Sequence, residues 1–192
     1  MARPALLAAC VEAHDRLDVL VNNAGSGGGG LSDAESMDME VWDRTFATNV
    51  RGVMLCIKHA LPLLKRRGGT IVNVASIAGL RPSARQIPDG ASKAAVLNLS
   101  KAMAQEVGAF GIRVNCVCPG AVDTDLYRGN AATRAKASGG TVEDDAKRIA
   151  NGSALQRLTT TEEVAAAVLF LADETSGTMT GTHLIMDAGK TY

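Results

Sequence analysis

Neither sign of charge is in excess in this 192-residue chain: Lys and Arg number 20, and Asp and Glu number 20. A balanced chain has no global field to draw it to nucleic acid or to an anionic membrane, so neither is expected as a partner. Cysteine pairs of metal-binding spacing are also missing. Cys10, Cys56, Cys116 and Cys118 include no CxxC, and Cys116 and Cys118 fall on one face of an expected strand without a nearby histidine. That predicts buried free thiols in a reducing, cytoplasmic compartment and no metal site. The longest apolar run, which ends at Ala172, is far too short to cross a bilayer. At the start, MARPALLAACVEAH carries an Arg and a brief apolar stretch, but Glu12, His14 and Asp15 follow at once. An amphipathic helix suits it better than a signal peptide.

What is present is a globular composition, 46% hydrophobic and 21% charged, in a length that suits one domain over residues 1–192. Apolar periodicity alternates between short strands and helices, the pattern of a parallel sheet with helices on both faces. The expected strands are 18–22, 70–75, 112–118 and 182–187. The expected helices are 4–14, 39–66 with a break near 49–52, 89–109 and 162–172, the last opened by a capping box of Thr160 and Glu163. The connection 121–158 is long, polar and rich in Gly, Ser, Asn and Thr, with a helical piece expected near 143–150. Connections of that length serve as lids or binding loops, or are merely mobile surface. The run Lys65-Arg66-Arg67 reads as cations at a helix C-terminus.

In open sheets of this kind ligands bind beyond the carboxyl ends of the strands. Those ends carry Asn22, Asn23, Ala24 and Gly25, then Ser76, then Pro119 and Gly120. Each alone is a turn or a cap. In order, NNAG (22–25), TNVRG (48–52), NVASIAG (73–79), ASK (91–93) and IRVNCVCPGAVDT (112–124) make the chain resemble the short-chain dehydrogenase/reductase family over essentially its whole length. The tail TGTHLIMDAG (180–189) looks like that family's last strand.

The resemblance implies a Rossmann-like doubly wound α/β sheet, and hydride transfer between NAD or NADP and a small alcohol or carbonyl substrate. Carried over by residue, Asn49 would hold a water at a helix break, Ser76 would hydrogen-bond the substrate oxygen and Lys93 would contact the nicotinamide ribose. Asn23, Ala24 and Gly25 would line the cofactor cleft, and Pro119, Gly120, Val122 and Thr124 would flank the nicotinamide. A homo-oligomer, dimer or tetramer, is implied through the last helix and strand. Hydride arriving at a carbonyl carbon builds negative charge on oxygen, so the site needs a hydroxyl aimed there and a proton source of matched pKa. In the family that source is a Tyr phenol whose pKa a Lys four residues later lowers.

Two departures stand out. Four residues before Lys93, where the family has its Tyr, stands Asp89. An acid in a helix's first turn, four residues from a Lys, is expected to be held as the anion by the macrodipole and an ion pair. It would then be a poor acid, and its side chain is too short for a phenol's position. A helix-start residue in a site that has lost its acid, a general base, and rescue by another group, with Tyr127 the plausible phenol because Tyr192 is terminal, all stand as readings. The second departure is the absence of the family's TGxxxGxG turn. By resemblance, the first βαβαβ part is missing, and the strand at 18–22 becomes an uncovered apolar edge. GSGGGG (25–30) is no substitute, because LSDAES follows without the periodicity of a helix.

Three functions follow from these residues. The first is an oxidoreductase by descent, impaired at the acid. The second is a catalytically inactive relative acting as a binding or scaffold subunit. The third is a cofactor-independent isomerase or lyase with Asp89 as base.

Overall fold

A computed structural model describes residues 4–27 and 31–190; Gly28 to Gly30 of the glycine run and the terminal Tyr192 lie outside the described residues. Four strands, β1 (Val19–Asn22), β2 (Gly69–Val74), β3 (Ile112–Pro119) and β4 (His183–Met186), form one wholly parallel sheet in the order β1-β2-β3-β4. Parallel neighbours need crossovers, and helices supply them. They are α1 (Pro4–His14), α2 (Met39–Phe46), α3 (Val53–Leu64), α4 (Ile87–Val107), α5 (Asp125–Ser138), α6 (Val142–Asn151) and α7 (Thr161–Ala172).

Strand alternation sends side chains to two cores. Ile71, Val114, Cys116 and Cys118 face Ile57 and Leu64 of α3 and Val96, Met103 and Val107 of α4. Val72 and Val117 face the other way, against Leu171 of α7. The sheet is therefore covered on both faces, as expected. Cys116 and Cys118 are buried free thiols, and no three metal-ligating side chains come together among the described residues. No described helix is long and apolar enough to cross a membrane. Among the described residues β1 lies at the edge of the sheet, paired with β2, and Val19 and Val21 are exposed.

Two elements depart from expectation. The helix anticipated over 39–66 does not break: α2 and α3 are joined by a π-helical stretch, Ala47–Gly52, which widens the turn instead. The connection 121–158 is not a loop with one helical piece but two capped helices. Thr124 accepts from the Tyr127 amide to open α5, Gly139 closes it at φ +75°, and a Thr141–Asp144 capping box opens α6. The expected capping box of Thr160 and Glu163 opens α7. The basic run lies just past the end of α3, where the Lys65 ammonium sits 4.1 Å over the Phe110 ring.

Candidate active site

The carboxyl end of β2 runs through Ala75 into Ser76, which opens a 3-10 turn at Ile77–Gly79. Ser76 is extended there, at φ −170° and ψ 157°, and its Oγ accepts from the Ala78 amide at 3.1 Å. Its hydroxyl proton has no acceptor among the described residues and remains free to donate.

The turn lies hard against α4 because Gly79 has no side chain. A Cβ on Gly79 would come within 2.6 Å of the Lys93 carbonyl carbon and 2.7 Å of the Ala94 nitrogen. Backbone contact at that range fixes Ser76 beside the first turns of α4. The helix starts two residues earlier than expected, with Pro88 inside its first turn, where a missing N–H costs nothing.

Lys93 projects from α4 back to the sheet, and its Nζ donates to the Val74 carbonyl at 3.0 Å. A Cβ on Gly25 would meet that Nζ at 3.3 Å and Asn49 Oδ1 at 3.5 Å. The NNAG turn, Asn49 and Lys93 thus meet at one point. Asn49 is buried at 1% exposure in the π-helical stretch. Its Oδ1 accepts from the Ser26 amide at 2.7 Å, while Nδ2 donates to the Ser26 carbonyl at 3.0 Å and to Ser92 Oγ at 2.9 Å. Both amide protons are committed, so the side chain clamps the NNAG turn to α4. A water held there falls to its remaining acceptor capacity or its main chain.

Beneath the turn a polar row crosses the core. Asn22 Nδ2 donates to Asn73 Oδ1 at 2.8 Å, and Asn73 Nδ2 donates to Ser100 Oγ at 2.8 Å. Asn22, Asn73 and Ser92 lay within the motifs read from the sequence but were given no part in such a network, and Ser100 was not singled out. Asn22 and Asn73 stand at inward positions of apolar strands, and a buried amide there needs a partner across the sheet; that was the available signal.

Asn23, Ala24 and Gly25 are exposed beside Lys93. Opposite them, Pro119 is buried and Gly120 packs where a Cβ would meet Asp187 Cβ at 2.9 Å. Val122 bridges to Thr159. Thr124 spends its hydroxyl on α5, accepting from Tyr127 and donating to the Val122 carbonyl at 3.3 Å. The structure therefore brings Asn49, Ser76, Lys93 and the NNAG turn together and gives Thr124 a local capping duty.

Asp89 corrects one expectation. No ion pair joins it to Lys93 among the described residues, because Lys93 is drawn to the Val74 carbonyl. Burial raises the Asp89 pKa, and the Lys93 charge opposes this only in part. Burial likewise lowers the Lys93 pKa, with Asp89 opposing. Desolvation thus outweighs the neighbouring cation. The folded state binds the Asp89 proton more tightly than the unfolded chain, so stability falls as pH rises from the unfolded carboxyl pKa through the raised one. Asp89→Asn is therefore expected to raise the thermal midpoint at pH 7 relative to the native chain. That advantage should vanish below about pH 4, and a pH series of melting curves reads it directly.

Tyr127 is no substitute phenol. It is buried, its hydroxyl donates to Asp145 Oδ2 at 3.3 Å, and burial together with the Asp145 charge raises its pKa. Asp145 is itself held by Arg134 and Arg148, each at 2.7 Å. Burial would raise its pKa, but the two guanidiniums hold it at about 2. The phenol belongs to the knot that ties α5 to α6.

The family described as enoyl-(acyl carrier protein) reductase matches residues 2–191. The dehydrogenase/reductase SDR family member 6 of Danio rerio is 39% identical over 178 residues, 91% of this chain and 69% of that protein. The chain belongs to the short-chain dehydrogenase/reductase family. Another family member, the 3-oxoacyl-(acyl-carrier-protein) reductase of Chlamydia muridarum, is 39% identical over 178 residues, 92% of this chain and 66% of that enzyme. A solved structure of ElxO with NADP bound superposes with a TM-score of 0.84 at 34% identity, covering 97% of this chain and 72% of its own. The chain spans about two thirds of the length of the curated family members it matches.

Proposed function

We propose that this family member is an oxidoreductase that transfers hydride between NAD or NADP and a small alcohol or carbonyl substrate, with proton transfer impaired at Asp89. The observation that carries this reading is the convergence of a Ser76 hydroxyl with a free proton, the Lys93 ammonium and the NNAG turn at one end of the sheet.

The residues present fit the nicotinamide half of the cofactor. Gly25 leaves beside Lys93 and Asn49 a space that a Cβ would occupy. Asn23, Ala24 and Gly25 would line one side, Pro119, Gly120, Val122 and Thr124 the other, and Lys93 would hold the ribose hydroxyls. Bound there, the dinucleotide supplies the hydride. Ser76 donates its free proton to the substrate oxygen and stabilises the charge that grows on it. Lys93, fixed by Val74, adds positive potential in a partly desolvated site, where it acts more strongly than in water. Asn49 keeps the turn in register with α4. Asp89 would stand in the proton donor's place, with a carboxyl whose pKa burial raises and on a side chain shorter than a phenol.

Calorimetric titration with NADH and with NADPH tests the reading. Saturable binding of one of them, weakened about tenfold or more by Lys93→Ala, is expected. No binding by a chain that circular dichroism shows to be folded would favour the second reading, a non-catalytic binding or scaffold subunit, which the Asp at the proton donor's place motivates. An assembly through α7 and β4, where Leu169, Phe170 and Ile185 are exposed, belongs to both readings; a monomer mass by light scattering would contradict it.

A further inference from the structure

The direction of the hydrogen bonds around Asn49 is set by a main-chain group. The Ser26 amide can only donate, so the atom it meets at 2.7 Å is Asn49 Oδ1, and Nδ2 must face the Ser26 carbonyl at 3.0 Å and Ser92 Oγ at 2.9 Å. Ser92 Oγ therefore accepts from Asn49, and its own proton goes to the main-chain carbonyl of Asp89 at 2.8 Å. Ser92 is 0% exposed and Asn49 1%, so water does not compete for these bonds. A one-way chain of donors runs from Asn49 through Ser92 to residue 89.

The turn that receives this bond is weakly built. α4 opens at Gln86, at φ −124° and ψ 41°, with no side-chain cap. Its first residues include Gly90, a type that helices disfavour more than any other except proline. Glycine is needed there, because a Cβ would meet the Ala78 carbonyl oxygen, in the Ser76 turn, at 3.1 Å. The close approach that brings the start of α4 to Ser76 thus weakens the turn that carries residue 89. A serine bonded to the carbonyl one turn back ordinarily satisfies only itself. Here the same hydroxyl takes a proton of Asn49, whose other two bonds hold Ser26 at the end of the NNAG turn.

We propose that Ser92 is a positioning residue: it carries the hold of Asn49 on the NNAG turn through to the main chain of residue 89, and so fixes the proton donor's place relative to Lys93 and the cofactor space. The proposal rests on the oxidoreductase reading for what residue 89 does, and on the hydrogen bonds alone for how it is held.

The Asp89 carboxyl reports its own position, because burial holds its pKa above the ordinary value against the opposing charge of Lys93. Its titration would be followed by carbon-13 NMR, assigned with Asp89→Asn, in the native chain and in Ser92→Ala, Ser92→Thr and Ser100→Ala. Ser100 is the control. It is equally buried on α4, accepts from Asn73 Nδ2 at 2.8 Å and donates to the Val96 carbonyl at 2.7 Å, but bonds neither Asn49 nor residue 89. Ser92→Ala is expected to lower the midpoint toward the ordinary carboxylate value as the freed turn admits water, Ser92→Thr to return it, and Ser100→Ala to leave it in place. In the Asp89→Tyr background, Ser92→Ala is expected to lower kcat for methyl acetoacetate about tenfold or more, as misplacement of a reacting group does. KM for the cofactor should hold, since both Asn49 bonds to Ser26 remain. An unchanged midpoint in the folded Ser92→Ala chain, an equal fall in Ser100→Ala, or a kcat that Ser92→Ala leaves unchanged overturns the role. If Ser92→Ala does not fold, Ser92→Cys, of similar size but a weak donor, takes its place. No hydride transfer by any of these proteins removes the oxidoreductase reading and leaves the titration to decide the part of Ser92.

Discussion

Asp89→Tyr is expected to raise the rate of cofactor-dependent ketone reduction by about 10²- to 10⁴-fold, the range a positioned general acid contributes. The other parts of the site are in place: a Ser76 hydroxyl with its proton free and a Lys93 ammonium tied to Val74. A phenol at position 89 would stand one helical turn before Lys93, whose positive charge lowers its pKa toward neutrality. The native carboxyl meets the same Lys93 charge, but burial prevails and its pKa moves up. Steady-state kinetics with methyl acetoacetate, an uncharged ketone, check this. Unchanged kcat in a folded Asp89→Tyr variant that binds cofactor would mean that the missing phenol is not what limits this chain.

Gly79→Ala is expected to lower stability by about 3 kcal/mol, the upper part of the usual range for inserting a methyl into packed structure. The midpoint of melting would fall by roughly 6–12 °C. The added Cβ would meet the Lys93 carbonyl carbon, the Ala94 nitrogen and the Lys93 oxygen at 2.6, 2.7 and 2.9 Å. All three are backbone atoms of α4, so no side chain can swing away; the Ser76 turn or the helix has to move. A control lies at the other end of the same helix. Gly108, at φ −57° and ψ −37°, has nothing within 4 Å of its added Cβ. Gly108→Ala is therefore expected to be neutral or to stabilise by about 0.5–1 kcal/mol. Equal effects of the two substitutions would show that the Gly79 contact is not what joins the turn to the helix.

The layering of the fold was legible because each strand is short, apolar and followed by a turn signal, and because the helices between them carry ordinary periodicity. The edge position of β1 came from the resemblance and not from its own residues. What escaped was α5. Its sequence, DLYRGNAATRAKAS, carries Gly129, Asn130 and Thr133 and reads as a loop. Yet Tyr127, Ala131 and Ala135 recur every four residues and are the three that bury. Small residues make a narrow stripe that is easy to overlook beside polar neighbours, whereas the Thr124 cap and Gly139 stop were in plain view.

At the site, residue types and order located Asn49, Ser76, Asp89 and Lys93, but not how they are held. The Asn49 amide bonds Ser26 and Ser92 across 23 and 43 residues, which no local pattern encodes. The direction of the Asp89 shift was misread for a related reason. Helix position and i, i+4 spacing are local and pull the pKa down, while burial is set by the whole fold and moves it up.

The most direct test of hydride transfer at this site follows the hydrogen itself. The purified chain and its Asp89→Tyr variant would be incubated with methyl acetoacetate and NADH or NADPH carrying deuterium at the transferable position of the nicotinamide. The hydroxy ester would then be analysed by mass spectrometry. The expected result is deuterium on the carbinol carbon, slow to appear with Asp89, faster with Tyr, and lost in Ser76→Ala. Absence of the labelled alcohol from both folded proteins would contradict an oxidoreductase built on Ser76 and Lys93.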